Sequence, residues 1–183
     1  ALARLRYSTV LPGRPIMASV PSPRIGAIDV PPSRQDGRAL DAASTTLRVA
    51  PATLDEALRV VDVIDAAFVD DPTWSWAFPD PSARRRWWQV CTQEALRYPW
   101  VLCTGGFEAV SVWVPPDGTE FSSEQEARLP DLLTELVGTR APEVTELLRR
   151  FGDAHPRHTP HYYLSLLATA DEHRGRGLGI ALL

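Results

Sequence analysis

Lysine is absent from this chain of 183 residues, so all 19 side chains in its Lys+Arg total are arginine. Without lysine the protein has no side-chain amine for Schiff-base chemistry and no lysine for a Walker phosphate-binding loop. Cysteine is scarce, and the two cysteines, Cys91 and Cys103, form no CxxC pair and stand among apolar neighbours. We interpret both as buried structural thiols in a reducing compartment, which favours a cytoplasmic protein.

Long apolar runs are also missing, since no stretch reaches the roughly 18 residues that a membrane span needs. The net charge of -4 gives no electrostatic reason to expect nucleic acid or an anionic membrane as a partner. His155, His158 and His161 recur at a spacing that could bind a metal on a helix, but Pro156 and Pro160 interrupt the segment. We therefore expect no metal site.

Composition divides the chain into two parts. Residues 1–43 are rich in alanine, arginine, proline and serine and show no periodic apolar pattern, so we expect a disordered or non-native extension there. Residues 44–183 contain both strand-like and helix-like patterns, which predicts a single mixed domain of the α/β (α+β) class. The 44% of hydrophobic residues is ordinary for a globular protein of this size.

The first elements of this domain are a strand over residues 46–50, ended by Pro51, and an amphipathic helix. Thr53 and Glu56 have the spacing of a capping box, which places the start of the helix. Its predicted inward stripe is Leu54, Leu58, Val61, Ile64 and Phe68.

An aromatic loop is predicted over residues 74–79, followed by a second helix that begins at Asp80-Pro81 and runs to about Tyr98. Arg84, Arg85 and Arg86 are most simply its solvated face. The residues expected to face inward are Trp88, Cys91, Ala95 and Tyr98.

The remaining pattern predicts a hairpin, two helical regions and one more strand. Strand-like residues 100–104 and 109–114 flank Gly105-Gly106. A helix capped by Ser122 is expected to be interrupted at Pro130, and another begins at Pro142. Residues 162–169 form a nearly continuous apolar run, which we interpret as a central strand buried on both faces.

The segment after that strand has the composition of an anion-binding turn. Glycines let the backbone adopt positive φ and bring successive N–H groups toward one ligand. The apolar residues 180–183 open a helix whose positive end points to the same place. A pyrophosphate there would be held mainly by backbone amides, with Arg174 or Arg176 adding charge. The structural alternative is a tight glycine turn between a strand and a helix.

Other nucleotide-binding loops do not fit the glycine spacing. The Rossmann pattern requires a third glycine where Ile180 stands, and the Walker pattern requires lysine. What remains is Arg174-x-x-Gly177-x-Gly179 directly after a buried strand. This pattern resembles the acyl-CoA loop of the GNAT superfamily of N-acetyltransferases.

Three further stretches are similar to the puromycin N-acetyltransferase branch of that superfamily: residues 71–80, 112–116 and 162–168. The resemblance implies a GNAT acyl-CoA N-acyltransferase fold whose C-terminal part is absent, the chain being truncated after the loop. It implies acetyl-CoA as co-substrate, bound by strand residues Leu167, Ala168 and Thr169 and by loop residues Arg174, Gly175, Arg176, Gly177, Leu178, Gly179 and Ile180.

The implied activity is transfer of the acetyl group to a primary amine of a small molecule by direct attack on the thioester. For the amine pocket, Trp74, Trp76 and Phe78 are the candidate wall and Asp71 a candidate for attracting a cation. Glu108 and Glu120 are possible bases by residue type alone. In the family the leaving thiolate is protonated by a tyrosine, which we expect beyond Leu183.

Two expectations concern alternatives. The alternative to an active acetyltransferase is a non-catalytic acyl-CoA-binding module or an inactive fragment. Moreover, without a downstream partner the strand over residues 162–169 would be an apolar edge, so we expect this stretch alone to be poorly soluble and inactive.

Overall fold

A computed structural model describes residues 47–156 and 159–183. The predicted extension over residues 1–43 lies outside these residues. The described part is a mixed α/β fold, as predicted, with a four-stranded antiparallel sheet in the order β1-β2-β3-β4. The strands are β1 (Val49–Pro51), β2 (Val101–Thr104), β3 (Ala109–Val114) and β4 (Tyr163–Thr169).

Six α-helices are found in the described residues, and they lie on both faces of the sheet. The helices are α1 (Ala57–Ala67), α2 (Pro72–Ala77), α3 (Pro81–Ala95), α4 (Ser123–Val137), α5 (Ala141–Ala154) and α6 (Leu178–Ala181). Helices α1 and α3 pack on one face, where Val61, Trp88 and Val112 belong to the main core. On the other face Leu182, at the end of α6, packs with Val49 and Ala109 in a smaller core.

Several local predictions are confirmed. The capping box of Thr53 and Glu56 is formed, with Thr53 N–H donating to a Glu56 carboxylate oxygen at 2.9 Å. Asp80 caps α3 by accepting from Ala83 N–H at 2.8 Å, and Ser122 caps α4. Gly105-Gly106 connects β2 and β3. These signals are contained in a few neighbouring residues, so they are readable without tertiary structure.

The predicted stripe of the first helix was wrong at its beginning. Leu54 and Leu58 are 69% and 60% exposed, whereas Val60 and Ile64 are fully buried. Leu54 lies in a 3-10 turn ahead of α1, so the helical period does not extend back to it. The buried face is rotated toward Val60 because that side meets the sheet and α3.

The predicted aromatic loop was also wrong, because residues 72–77 form α2. Asp71 accepts from Thr73 N–H at 2.9 Å and from Trp74 N–H at 3.0 Å, and Pro72 supplies a first helical residue whose φ is already suitable. Two good N-terminal signals therefore start a helix as short as six residues.

Pro51 and Pro130 do not interrupt the elements that they were predicted to end or break. Pro130 lies inside α4, where burial of Leu132 and Leu133 outweighs a cost of about 3 kcal/mol for the missing N–H and the ring clash. Pro51 is the last residue of β1 instead of following it. It is tolerated because β1 is an edge strand.

The last strand is an edge of the described sheet, as expected for this strand without a downstream partner. It is not buried on both faces, because only Ala168 among its residues is buried. The other side chains are half-buried, since one edge of the strand has no neighbouring strand in the described part of the chain.

Arg84 does not lie on a solvated face as predicted. Its side chain is 8% exposed, and Nε donates to Asp65 Oδ1 at 2.8 Å, joining α3 to α1. The adjacent Arg85 makes the exposed version of the same link, donating to Asp62 at 2.6 Å. One turn of α3 thus contains a buried ion pair and a matched exposed one.

We expect Arg84→Ala to lower the free energy of unfolding by about 3 kcal/mol, because Asp65 is left as a partly buried charge without its partner. Arg85→Ala is the matched control and should cost less than about 1 kcal/mol. Urea denaturation followed by tryptophan fluorescence measures both. Equal losses for the two variants would contradict the distinction.

Candidate functional site

The glycine segment forms a turn between β4 and α6. Gly175 and Gly177 have φ of +74° and +77°, a region that L side chains rarely adopt. A Cβ built on either glycine meets no heavy atom within 4 Å, so both residues border open space. The turn therefore needs glycine for its backbone path and leaves its outer surface accessible.

The backbone amides of Leu178, Gly179 and Ile180, at the start of α6, have no acceptor within their own helix. The first amide after the turn that donates is that of Ala181, to Gly177 O at 3.1 Å. Unpaired amides at the start of a helix and in a glycine turn attract anionic oxygen. The amides at the start of α6 therefore lie next to the glycine turn at one accessible surface.

Gly179 brings the start of α6 against β4. A Cβ at this position would lie 3.6 Å from Leu167 Cδ2 and 3.6 Å from Thr169 Oγ1, which is ordinary contact distance. The structure therefore brings the predicted strand residues and the predicted loop residues together. Leu178 is half-buried there, whereas Ile180 is 79% exposed.

The two arginines of the turn differ in what they contact. The Arg174 guanidinium folds back on the protein, with Nη2 2.9 Å from Asp171 and 3.1 Å from Ala67 O. Arg176 Nη1 donates to His173 Nδ1 at 2.7 Å. Both side chains are exposed, and among the described residues only Arg174 is paired with a carboxylate.

A cavity of about 320 Å³ lies beside β4, enclosed by α3, α4, α5 and the loop that follows β3. Most of its lining is apolar and aromatic, including Trp74, Trp88, Phe121 and Phe151. Leu167 lines the cavity too, so the strand that carries the glycine turn also forms a wall of the cavity.

A bulge in β4 shapes this wall. Val112 pairs with Leu166 and Trp113 with Leu164, so Ser165 is an extra residue with no partner in the ladder. A bulge of this kind bends the strand and re-aims side chains. Ser165 and its neighbours Leu166 and Leu167 all line the cavity.

Two carboxylates are the charged side chains among the described residues that line the cavity, Glu120 and Glu126. Ser165 Oγ donates to Glu120 Oε1 at 2.6 Å, across 45 residues of sequence. Burial raises the pKa of Glu126, and the positive charge of Arg97 opposes the rise. No pattern in the sequence marks Glu126, because it lies on the polar first turns of an ordinary capped helix.

The residues predicted to form an amine pocket are separated by the structure. Trp74 lines the cavity. Trp76 is 46% exposed and lies under the Arg140 guanidinium at 4.8 Å. Phe78 is fully buried and stacks on Trp87 at 5.1 Å, and Asp71 caps α2.

Glu108 and Glu120, the glutamates considered as possible bases by residue type, are also far apart in role and position. Glu120 reaches the cavity, whereas Glu108 accepts from Thr104 Oγ1 in the β2–β3 hairpin. Tyr163 lines the cavity together with Ser165, and Tyr162 packs on Trp100 at 4.8 Å instead.

Metal and membrane features are not found in the described residues. No group of three or more His, Cys, Asp or Glu lies close enough there to hold a metal ion. Nor does any helix in residues 47–156 or 159–183 have the length and apolar character to cross a bilayer.

The chain is similar to a structure from Corynebacterium glutamicum described as histone acetyltransferase HPA2 and related acetyltransferase, with 24% identity and a TM-score of 0.48. The similarity covers 74% of this chain and 67% of that one. No protein-family model and no curated protein matches the sequence.

Both thiols should react slowly in the native protein. Burial raises the pKa of Cys103 to about 12. Burial also raises the pKa of Cys91, in the cavity wall, well above its usual range, and the negative charge of Glu120 adds to the rise. Because the thiolate is the reactive form, we expect DTNB to react at pH 8 at least about a hundredfold slower than with the unfolded protein.

Absorbance at 412 nm measures this reaction in buffer and in guanidinium chloride, where two thiols should react. Cys91→Ser and Cys103→Ser assign each phase to a residue. A native thiol that reacts as fast as in guanidinium would show that its side chain is open to solvent.

Proposed function

We propose that this protein is a GNAT-type N-acetyltransferase that transfers the acetyl group of acetyl-CoA to a primary amine of a small molecule. The observation that carries the proposal is the placement of the Arg174-x-x-Gly177-x-Gly179 turn at the end of β4, beside a cavity that the same strand lines. One strand thus connects an anion-binding turn to a pocket of the size of a small substrate.

The turn supplies the proposed pyrophosphate site. Amides of residues 175–180 donate to the phosphate oxygens, and Arg176 adds positive charge from the rim. Because β4 is an edge of the described sheet, its outer backbone groups are available to the amide groups of a pantetheine arm along residues 167–169. This orientation places the thioester near the bulge.

The proposed reaction is direct acyl transfer. The neutral amine attacks the thioester carbonyl, a C–N bond forms and the C–S bond breaks. The nitrogen loses one proton as it becomes an amide, and the departing thiolate takes up one proton and leaves as CoA. A strand N–H near Leu167 stabilises the oxyanion. Glu120 is the residue placed to accept the proton lost by the ammonium, since its second carboxylate oxygen is not the one bound to Ser165.

Acetyl-CoA should raise the unfolding midpoint of the protein by at least about 5 °C at roughly a hundred times its dissociation constant, whereas equimolar NAD should not. Gly177→Val should abolish the shift, because a β-branched residue is strained at a φ of +77° and its side chain occupies the ligand side of the turn. Differential scanning fluorimetry measures each midpoint.

Gly138→Val is the matched control, since Gly138 also has positive φ and open space but lies at the end of α4. It should lower the midpoint of the free protein and keep the acetyl-CoA shift. Absence of a shift in the folded native protein would overturn the proposal. A shift without acetylation of any amine would leave only an acyl-CoA-binding module.

A further inference from the structure

We propose that the cavity takes a hydrophobic primary amine, with an aromatic or branched apolar body among the aromatic side chains and a single ammonium group at Glu120 and Glu126. The proposal names the acceptor class for the N-acetyltransferase put forward above and rests on that function. It is argued from the walls, the charge and the rigidity of the cavity.

The walls of the cavity present aromatic rings at several angles. Trp74 meets Trp88 edge-on at 4.9 Å and lies 6.1 Å from Phe151. Such an arrangement favours a flat or branched apolar group, and it offers little to a polar chain that needs hydrogen bonds along its length. A sugar or a polyamine would lose its hydration here without replacement.

The charge of the cavity selects a cation. Among the described residues that line it, both charged groups are carboxylates. The nearby Arg97 guanidinium opposes the rise in the pKa of Glu126, but it is itself paired, because its Nη2 donates to Thr119 O at 2.9 Å and its Nε lies 3.2 Å from Glu94. A ligand carboxylate would be repelled, whereas one ammonium satisfies the site.

The loop that carries Glu120 is held in place on both sides. Tyr98 Oη accepts from Thr119 N–H at 3.1 Å, and Glu94 accepts from Ser122 N–H at 2.6 Å. Ser165 holds the carboxylate itself. The acceptor site is therefore preorganised, which reduces the cost of binding a small ligand.

The volume limits the acceptor to a small molecule. A cavity of about 320 Å³ is at the lower end for ligand pockets, which suits one ring with a short aminoalkyl chain. A second ammonium farther along a chain would be placed among apolar side chains at a desolvation cost.

Four small probes test the class: 2-phenylethylamine, 2-phenylethanol, 3-phenylpropionate and putrescine. Binding to the chain without acetyl-CoA is measured by isothermal titration calorimetry, and acetyl transfer is measured separately by thiol release. We expect 2-phenylethylamine to bind at least about tenfold more tightly than each of the other three.

Glu120→Gln and Glu126→Gln should each reduce that preference by about tenfold. Glu124→Gln is the matched control on α4, because Glu124 is exposed, pairs with Arg128 and does not line the cavity; it should leave binding unchanged. Equal binding of the amine and the alcohol, or tighter binding of putrescine, would overturn the proposal. So would an unchanged preference in both cavity variants.

The two proposals fail separately. Selective binding of 2-phenylethylamine by a folded protein whose unfolding midpoint does not respond to acetyl-CoA would refute the acetyltransferase and keep the cavity assignment. Transfer to putrescine but not to 2-phenylethylamine would keep the acetyltransferase and refute the acceptor class.

Discussion

Antiparallel pairing of β3 with β4 is the interaction on which both parts of the candidate site depend. The pairs from Ala109–Thr169 to Val112–Leu166 hold the end of β4 where the glycine turn leaves it. Beyond the bulge at Ser165 the pairing resumes in a shifted register, and this shift brings Ser165 and Leu166 to the same cavity.

The second constraint is the loop between β3 and α4. This loop has no helix or strand of its own. Glu94 in α3, Arg97 and Tyr98 just after α3, and Ser165 in β4 all form hydrogen bonds with it. Those partners belong to different elements, so the carboxylate of Glu120 has a defined position only after the helices have packed on the sheet. Positions of this kind are where polar chemistry is retained at some cost in stability.

Local signals made much of the fold predictable. The capping box at Thr53, the Asp80-Pro81 start of α3 and the glycine hairpin each act within a few residues, and all three are found in the structure. Predictions failed where distant contacts decided the outcome. The buried partner of Arg84 lies 19 residues away on another helix, and Pro130 stays helical because the leucines that follow it are buried. Periodicity contains no information about such partners.

The candidate site likewise has one part that the sequence predicted, the glycine turn, and one part that it did not, the cavity. The sequence by itself determined the glycine turn, since positive φ at Gly175 and Gly177 is a property of the residue type and of its immediate neighbours. Only the tertiary structure decided which side chains meet in the cavity. It selected Trp74 from the aromatic segment, buried Phe78, left Trp76 at the surface and added Glu126. The physical reason is that a turn is fixed by local backbone sterics, whereas a cavity exists only between elements that have already packed.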